Sequence, residues 1–98
     1  MLINAVVQNE AERNEKMIRD YERLIAELPK GSLICRKNEY YYLKYRENGR
    51  MVDKYIGKDD AVIAELRCKL EQRKHYSEML AALKKERRAI KKVLEGLR

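Results

Sequence analysis

The stretch YYYLKYRENGRMVDKYIG, residues 40–57, decides the fold of this 98-residue chain. Asn48 and Gly49 separate two β-prone runs, and Asn-Gly is the dipeptide that a type I′ turn favours because both central residues need positive φ. A two-residue loop fixes the pairing of the strands and sets Lys44 opposite Asp53, an opposite-charge pair that stabilises a hairpin. The sequence therefore predicts a β-hairpin in a defined register.

Alternation along the two strands sorts the hairpin side chains onto two faces. The face that we assign to the core carries Tyr41, Leu43, Tyr45, Val52 and Ile56. The opposite face carries Tyr40, Tyr42, Lys44, Arg46, Met51, Asp53 and Tyr55. In this register Tyr42 stands opposite Tyr55, so the second face combines aromatic rings with basic side chains.

The segments around the hairpin complete an α+β fold in a single domain, residues 1–98. A β-prone run begins at Ser32 and a turn at Asn38 follows it, which predicts a three-stranded antiparallel meander over 32–56. Apolar residues recur at steps of three and four in 1–28, which predicts a long helix that ends before Pro29. Residues 59–98 show the same period and form a long C-terminal helix, or a helix pair bent near 72–77 where the apolar stripe is interrupted.

The lengths of the two helical segments predict an overhang. If the C-terminal helix packs antiparallel on the first one, counting from Leu28 and Asp59 covers it only to about residue 82. The uncovered apolar stripe consists of Leu83, Ile90, Leu94 and Leu97. Such a stripe needs a partner; a bend, another protein or a second copy would cover it, and we expect a homodimer.

Composition limits the possible functions. Charged residues make up 40% of the chain and the formal net charge is +7, which favours a polyanionic partner. No run approaches the roughly 20 apolar residues that cross a bilayer, so we expect no membrane association. The first residues lack the basic and apolar regions of a signal peptide, so we expect a cytoplasmic protein with free thiols.

No signature of catalysis or of metal binding is recognisable, and we expect neither an enzyme nor a cofactor. The sequence has no Gly-rich phosphate loop and no Cys-x-x-Cys pair. Cys35, Cys68 and His75 are too few and too widely spaced for a zinc site. We interpret them as buried or half-buried thiols and a surface imidazole.

The tyrosine-bearing face of the hairpin is the first candidate binding site, and it consists of Arg36, Tyr40, Tyr42, Lys44, Arg46 and Tyr55. A two-stranded ribbon fits the major groove of DNA, and aromatic with basic residues on a sheet also hold single strands. A solvated sheet surface would show the same composition, because tyrosine is an ordinary strand former.

A second candidate is the basic C-terminal helix, whose cations are Lys84, Lys85, Arg88, Lys91 and Lys92. Their spacing predicts a positive stripe on the side opposite the leucines. A solvated lysine-rich helix surface is the alternative interpretation, since cations are favoured near a helix C-terminus.

Residues 28–66, LPKGSLICRKNEYYYLKYRENGRMVDKYIGKDDAVIAEL, resemble small uncharacterised proteins of bacterial genomes and mobile elements. The shared features are a Gly-Ser strand, a tyrosine-rich second strand, a glycine turn and Tyr-Ile-Gly-Lys before a helix. More distantly, the segment is similar to the three-stranded N-terminal arm-binding domain of phage-type tyrosine recombinases, whose sheet enters the major groove. The resemblance implies a DNA-facing side, formed by Arg36, Tyr40, Tyr42, Lys44, Arg46 and Tyr55.

These observations predict a non-enzymatic nucleic-acid-binding accessory protein of a phage or mobile element, with DNA a better candidate than RNA. The first alternative is a small phage- or plasmid-encoded protein that inhibits a host nucleoprotein defence complex, as anti-CRISPR proteins do. The second alternative is a structural helical dimer without a nucleic-acid ligand.

Overall fold

The computed structural model describes residues 2–97 and has the predicted α+β architecture. Its elements, in chain order, are α1 (Leu2–Ala26), β1 (Ser32–Arg36), β2 (Tyr40–Glu47), β3 (Arg50–Gly57) and α2 (Asp60–Gly96). They form two compact units, a finer division than the predicted single domain. One contains α1 and the part of α2 from His75 onward, and the other spans Leu28–Lys74. No helix in residues 2–97 has both the length and the apolar composition needed to cross a membrane.

The sheet is an antiparallel meander in the order β1-β2-β3, with the predicted hairpin register. Lys44 pairs with Asp53, and Tyr42 pairs with Tyr55. Asn48 and Gly49 have φ values of 51° and 79°, which are the two positive values of a type I′ turn. The local turn sequence therefore sets the register of β2 and β3, as predicted.

A bulge in β3 interrupts the regular alternation near its end. Tyr42 pairs with Tyr55, but Tyr41 pairs with Gly57, so Ile56 is the extra residue. Gly57 has a φ of 110°, a conformation that side chains rarely adopt. An uninterrupted hairpin would pair Tyr41 with Ile56. The bulge was not predicted, because the predicted meander ended at residue 56, before Gly57.

The turn between β1 and β2 also uses left-handed conformations. Lys37 and Asn38 have φ values of 57° and 54°, and the Glu39 amide donates a hydrogen bond to the Arg36 carbonyl over 3.2 Å. Asparagine tolerates this conformation better than other residues with a side chain, which explains the turn predicted at Asn38. The turn brings the end of β1 beside the start of β2.

The unit that spans residues 28–74 combines the sheet with the first half of α2. Leu43 and Ile63 are its buried apolar residues, each 6% exposed. Asp59 caps α2, because its Oδ1 accepts a hydrogen bond of 2.9 Å from the Ala61 amide. Arg73 donates from Nη1 to the Leu28 carbonyl over 2.7 Å, and this bond ties α2 to the segment that precedes the sheet.

The second helix is continuous, and the predicted alternative of a bent helix pair is wrong. Its 37 residues span about 55 Å at the usual rise per residue. The polar residues near 72–77 interrupt the apolar stripe but contain neither Pro nor Gly. Their helix propensities are ordinary, so they change what packs on the helix without ending it.

In the other unit, α1 and the C-terminal part of α2 pack antiparallel. The Asn14 amide nitrogen Nδ2 lies 2.9 Å from the Leu83 carbonyl oxygen. The rings of Tyr21 and Tyr76 meet edge to face, with centroids 5.6 Å apart. Ile18, between these contacts in α1, is the most deeply buried large side chain described, at 2% exposure.

This pairing contradicts the predicted overhang. Leu83 is buried, and Ile90 and Leu94 are half-buried in the unit that contains α1; Leu97 alone of the four is exposed. The prediction started the pairing at Asp59, directly before α2, but the first part of α2, up to Lys74, belongs to the unit with the sheet. A homodimer through these four residues stays a prediction, but the overhang from which it was inferred is not present in residues 2–97.

Candidate nucleic-acid interface

Three tyrosine rings form a cluster on the sheet face opposite Leu43. Cross-strand pairing brings Tyr42 and Tyr55 together, and their ring centroids are 5.3 Å apart in an edge-to-face arrangement. Tyr40, two residues along β2 on the same face, lies 6.4 Å from Tyr55. Tyr40 and Tyr42 are half-buried, whereas Tyr55 is 57% exposed. The cluster therefore presents the Tyr55 ring to solvent and supports it with the other two.

Arg36 crosses this cluster from one edge of the sheet to the other. Its guanidinium carbon lies 4.8 Å from the centroid of the Tyr42 ring, a cation–π contact. Its Nη2 lies 2.7 Å from Oδ2 of Asp53 on β3. We predicted that Lys44 would be the charge partner of Asp53; their backbones are paired, but the carboxylate bonds to Arg36 instead.

A second cation–acid pair lies beside Tyr40. Lys58 Nζ is 3.1 Å from Oε1 of Glu39 and 5.9 Å from the centroid of the Tyr40 ring. Lys58 was not among the predicted residues of the site. Its position depends on the bulge that precedes it in β3, and nothing in the alternation of residues 50–56 indicates that bulge.

Three cations on the tyrosine-bearing face of the sheet, or in the turn between β1 and β2, have no acidic partner in the described part of the chain: Lys37, Lys44 and Arg46. All three are exposed, and none forms an ion pair within residues 2–97. Lys44 and Arg46 alternate with Tyr42 along β2 and so share its face. An anion that approaches this side of the sheet meets these three cations without competing for a carboxylate.

A shallow depression of about 360 Å³ opens at the cluster. The lining consists of Arg36, Lys37, Tyr40, Tyr42 and Tyr55. Four of the six predicted residues of this site therefore converge on one concave surface. Lys44 and Arg46 lie farther along β2, outside the lining.

The basic C-terminal helix belongs to the other unit and differs from its prediction. Lys85, Arg88, Lys91 and Lys92 are exposed, and Lys84 is half-buried. Arg88 and Lys91 line a cavity of about 510 Å³ together with Ile90 and Leu94. These two cations therefore flank the leucine stripe, whereas we predicted that they lie opposite it.

The residues that could hold a metal or act as nucleophiles are dispersed. Residues 2–97 contain no group of three or more His, Cys, Asp or Glu side chains that could bind a metal ion. Cys35 and Cys68 are free and exposed, so the predicted burial of the thiols is wrong. Cys35 lies in β1, an edge strand of the sheet that residues 2–97 form.

The sequence model of a family described as a domain of unknown function (DUF6788) matches residues 7–67. No curated protein and no solved structure matches the chain. The matched segment contains most of α1, the whole sheet and the first two turns of α2. It includes the tyrosine cluster and every predicted residue of the sheet face, whereas Lys84 and the cations that follow it lie outside.

Proposed function

The chain belongs to the DUF6788 family, and we propose that it is a non-enzymatic nucleic-acid-binding accessory protein of a phage or mobile element. The binding surface is the sheet face that carries the tyrosine cluster, together with Lys37, Lys44 and Arg46. The cations on α2 supply a second, sequence-independent contact to the phosphate backbone.

One observation carries this proposal: a tyrosine cluster with an exposed Tyr55 ring lies beside cations that have no acidic partner in residues 2–97. Tyr55 is 57% exposed, although a large ring is favoured in a packed environment. Nucleic acids offer both a stacking surface for such a ring and phosphates for the cations.

The charges support backbone binding in particular. Lysine and arginine side chains that neutralise phosphates release counterions, and this release supplies most of the affinity of non-specific binding. Lys44 and Arg46 lie two residues apart on one face of β2, about 7 Å along the strand. That spacing resembles the separation of successive phosphates in a nucleic-acid strand, so each cation can contact its own phosphate.

A salt titration tests the proposal. The full-length protein is titrated into a fluorescein-labelled DNA oligonucleotide, and anisotropy gives the Kd at several salt concentrations. About six phosphate contacts predict a loss of affinity of roughly 10³-fold between 50 and 200 mM salt. The double variant K44Q/R46Q removes two contacts and should lower the salt slope by about 1.8 for a duplex or about 1.4 for a single strand.

The double variant K16Q/R19Q is the matched control, because it removes the same charge from exposed positions on α1. It should leave the slope close to that of the unaltered protein. The proposal fails if DNA and RNA oligonucleotides both leave the anisotropy unchanged at 50 mM salt. It also fails if the two double variants weaken binding equally, since net charge alone would then explain the affinity.

A second candidate function is inhibition of a host nucleoprotein complex through a protein interface. The observation that favours it is the exposure of Met51 and Tyr55 on the same face, at 51% and 57%, because methionine and tyrosine are enriched in interface cores. Capture from host lysate separates the two functions. A captured protein that survives nuclease treatment and is lost with M51E supports the protein partner.

A further inference from the structure

The cations that touch the tyrosine cluster are already compensated. Arg36 forms an ion pair with Asp53, and Lys58 forms one with Glu39. Both cations lie near tyrosine rings, but an acidic side chain neutralises the charge of each. The centre of the cluster is therefore aromatic and close to neutral. Such a centre suits the flat face of a ring better than a phosphate, whose desolvation would need an uncompensated cation.

Positive charge without an acidic partner surrounds this centre. Lys37 lies at the edge of the depression, and Lys44 and Arg46 continue along β2. A neutral stacking platform beside cations that follow a backbone is the arrangement by which single-stranded nucleic acids are bound. The depression of about 360 Å³ is at the small end of the roughly 300–1,000 Å³ range of small-ligand sites.

A duplex suits this surface less well, because its base faces are stacked on one another and only base edges are accessible. Reading those edges in the major groove relies on free donors, most often an arginine that reaches guanine with two nitrogens. Arg36 is the arginine at the depression, and its Nη2 is bonded to Asp53. The exposed group at the centre is instead the ring of Tyr55.

We infer that the depression formed by Tyr40, Tyr42 and Tyr55 receives an unpaired nucleobase, which stacks on the Tyr55 ring. This inference rests on the proposed function and specifies its ligand as single-stranded nucleic acid. The flanking phosphates contact Lys37, Lys44 and Arg46. Stacking is sequence-tolerant because every base has a π face, so the site selects strandedness and not sequence.

Anisotropy titrations with three probes test the inference at one salt concentration: a twelve-nucleotide oligothymidine, the same strand with abasic positions, and a twelve-base-pair duplex. The intact single strand should bind at least tenfold more tightly than the abasic strand. Y55L should weaken binding of oligothymidine roughly 5- to 150-fold, the equivalent of the usual stacking contribution of one base. Y55F retains the ring and should bind within twofold of the unaltered protein.

Tyrosine emission gives an independent readout, because the chain has seven tyrosines and no tryptophan. Oligothymidine should quench this emission, and Y55L should reduce the quenching. Circular dichroism checks that Y55L is folded. If Y55L is unfolded, the affinities of the unaltered protein for the intact and the abasic strand test the inference instead.

Equal affinity for intact and abasic strands, or a duplex bound more tightly than the single strand, overturns the inference and leaves nucleic-acid binding in place. Failure of all three probes and of an RNA oligonucleotide to bind at 50 mM salt overturns the proposed function itself.

Discussion

The side-chain amide of Asn14 donates a hydrogen bond of 2.9 Å to the main-chain carbonyl of Leu83. Asn14 is only 2% exposed, and its own carbonyl oxygen has no partner in the described part of the chain. Cavities of about 510 and 390 Å³ adjoin it. A polar residue of this kind fixes the alignment of two helices and lowers their stability.

Replacement of Asn14 by leucine should stabilise the protein. N14L removes a buried acceptor that lacks a hydrogen bond, an arrangement that costs about 1–3 kcal/mol, and it loses one bond worth about 1 kcal/mol. We expect the free energy of unfolding to rise by about 1 kcal/mol, measured by urea denaturation. N14A removes the same amide but leaves a cavity at this buried position, and the cost of that cavity offsets the gain. Destabilisation by N14L would show that the Asn14–Leu83 bond outweighs the unsatisfied oxygen.

Asn14 also explains why the helices were predicted correctly and their alignment was not. Apolar residues at steps of three and four identify each helix and its packed face. They do not specify which turn of α1 lies against which turn of α2, because several alignments bury apolar side chains. In the sequence, Asn14 interrupts the apolar stripe of α1. In the structure, its hydrogen bond to Leu83 forms in the observed alignment of the two helices.

A double-mutant cycle between Tyr21 and Tyr76 should detect the observed alignment. An edge-to-face pair with centroids 5.6 Å apart predicts a coupling free energy of about 0.5–1.5 kcal/mol between Y21L and Y76L. The predicted overhang would instead place Tyr21 near Leu66. A cycle between Y21L and L66A is therefore the control and should give no coupling. Coupling only in this control cycle would favour the alignment with the overhang.

Gly31 should tolerate substitution least among the glycines of the sheet region. It has a φ of 120°, and a Cβ there would collide with the main-chain carbonyl oxygen of Lys44. G31A should therefore lower the free energy of unfolding by about 2–3 kcal/mol. The control is G49A, because Gly49 has a φ of 79° and open space around it; it should cost about 1 kcal/mol from backbone strain alone. Equal losses in thermal or urea unfolding would contradict the predicted collision.

The sheet face was predictable to the extent that local sequence determines it. Asn48 and Gly49 set the turn, the turn sets the register, and the register brings Tyr42 and Tyr55 together. Arg36 on β1 reaches across β2 to Asp53 on β3. This contact depends on how the long arginine side chain lies over the Tyr42 ring. Alternation and turn type contain no information about that choice, so the sequence assigned Asp53 to Lys44.

Removal of the Asp53 carboxylate should strengthen nucleic-acid binding if the compensated state of Arg36 limits its contact with phosphate. D53N leaves the guanidinium over Tyr42 without its acid, and one more cation then faces the ligand. The Kd for oligothymidine should fall, and the salt slope should steepen by about 0.7, the value for one further contact to a single strand. Stability should change by less than about 1 kcal/mol, because both side chains are at least 36% exposed.

The matched control is E65Q, which removes the same charge from the exposed Glu65–Lys69 pair on α2 and should leave the slope unchanged. Weaker binding by D53N would contradict this prediction. It would mean that the Arg36–Asp53 pair positions the tyrosine rings, and that displacement of the rings costs more affinity than the freed Arg36 charge contributes.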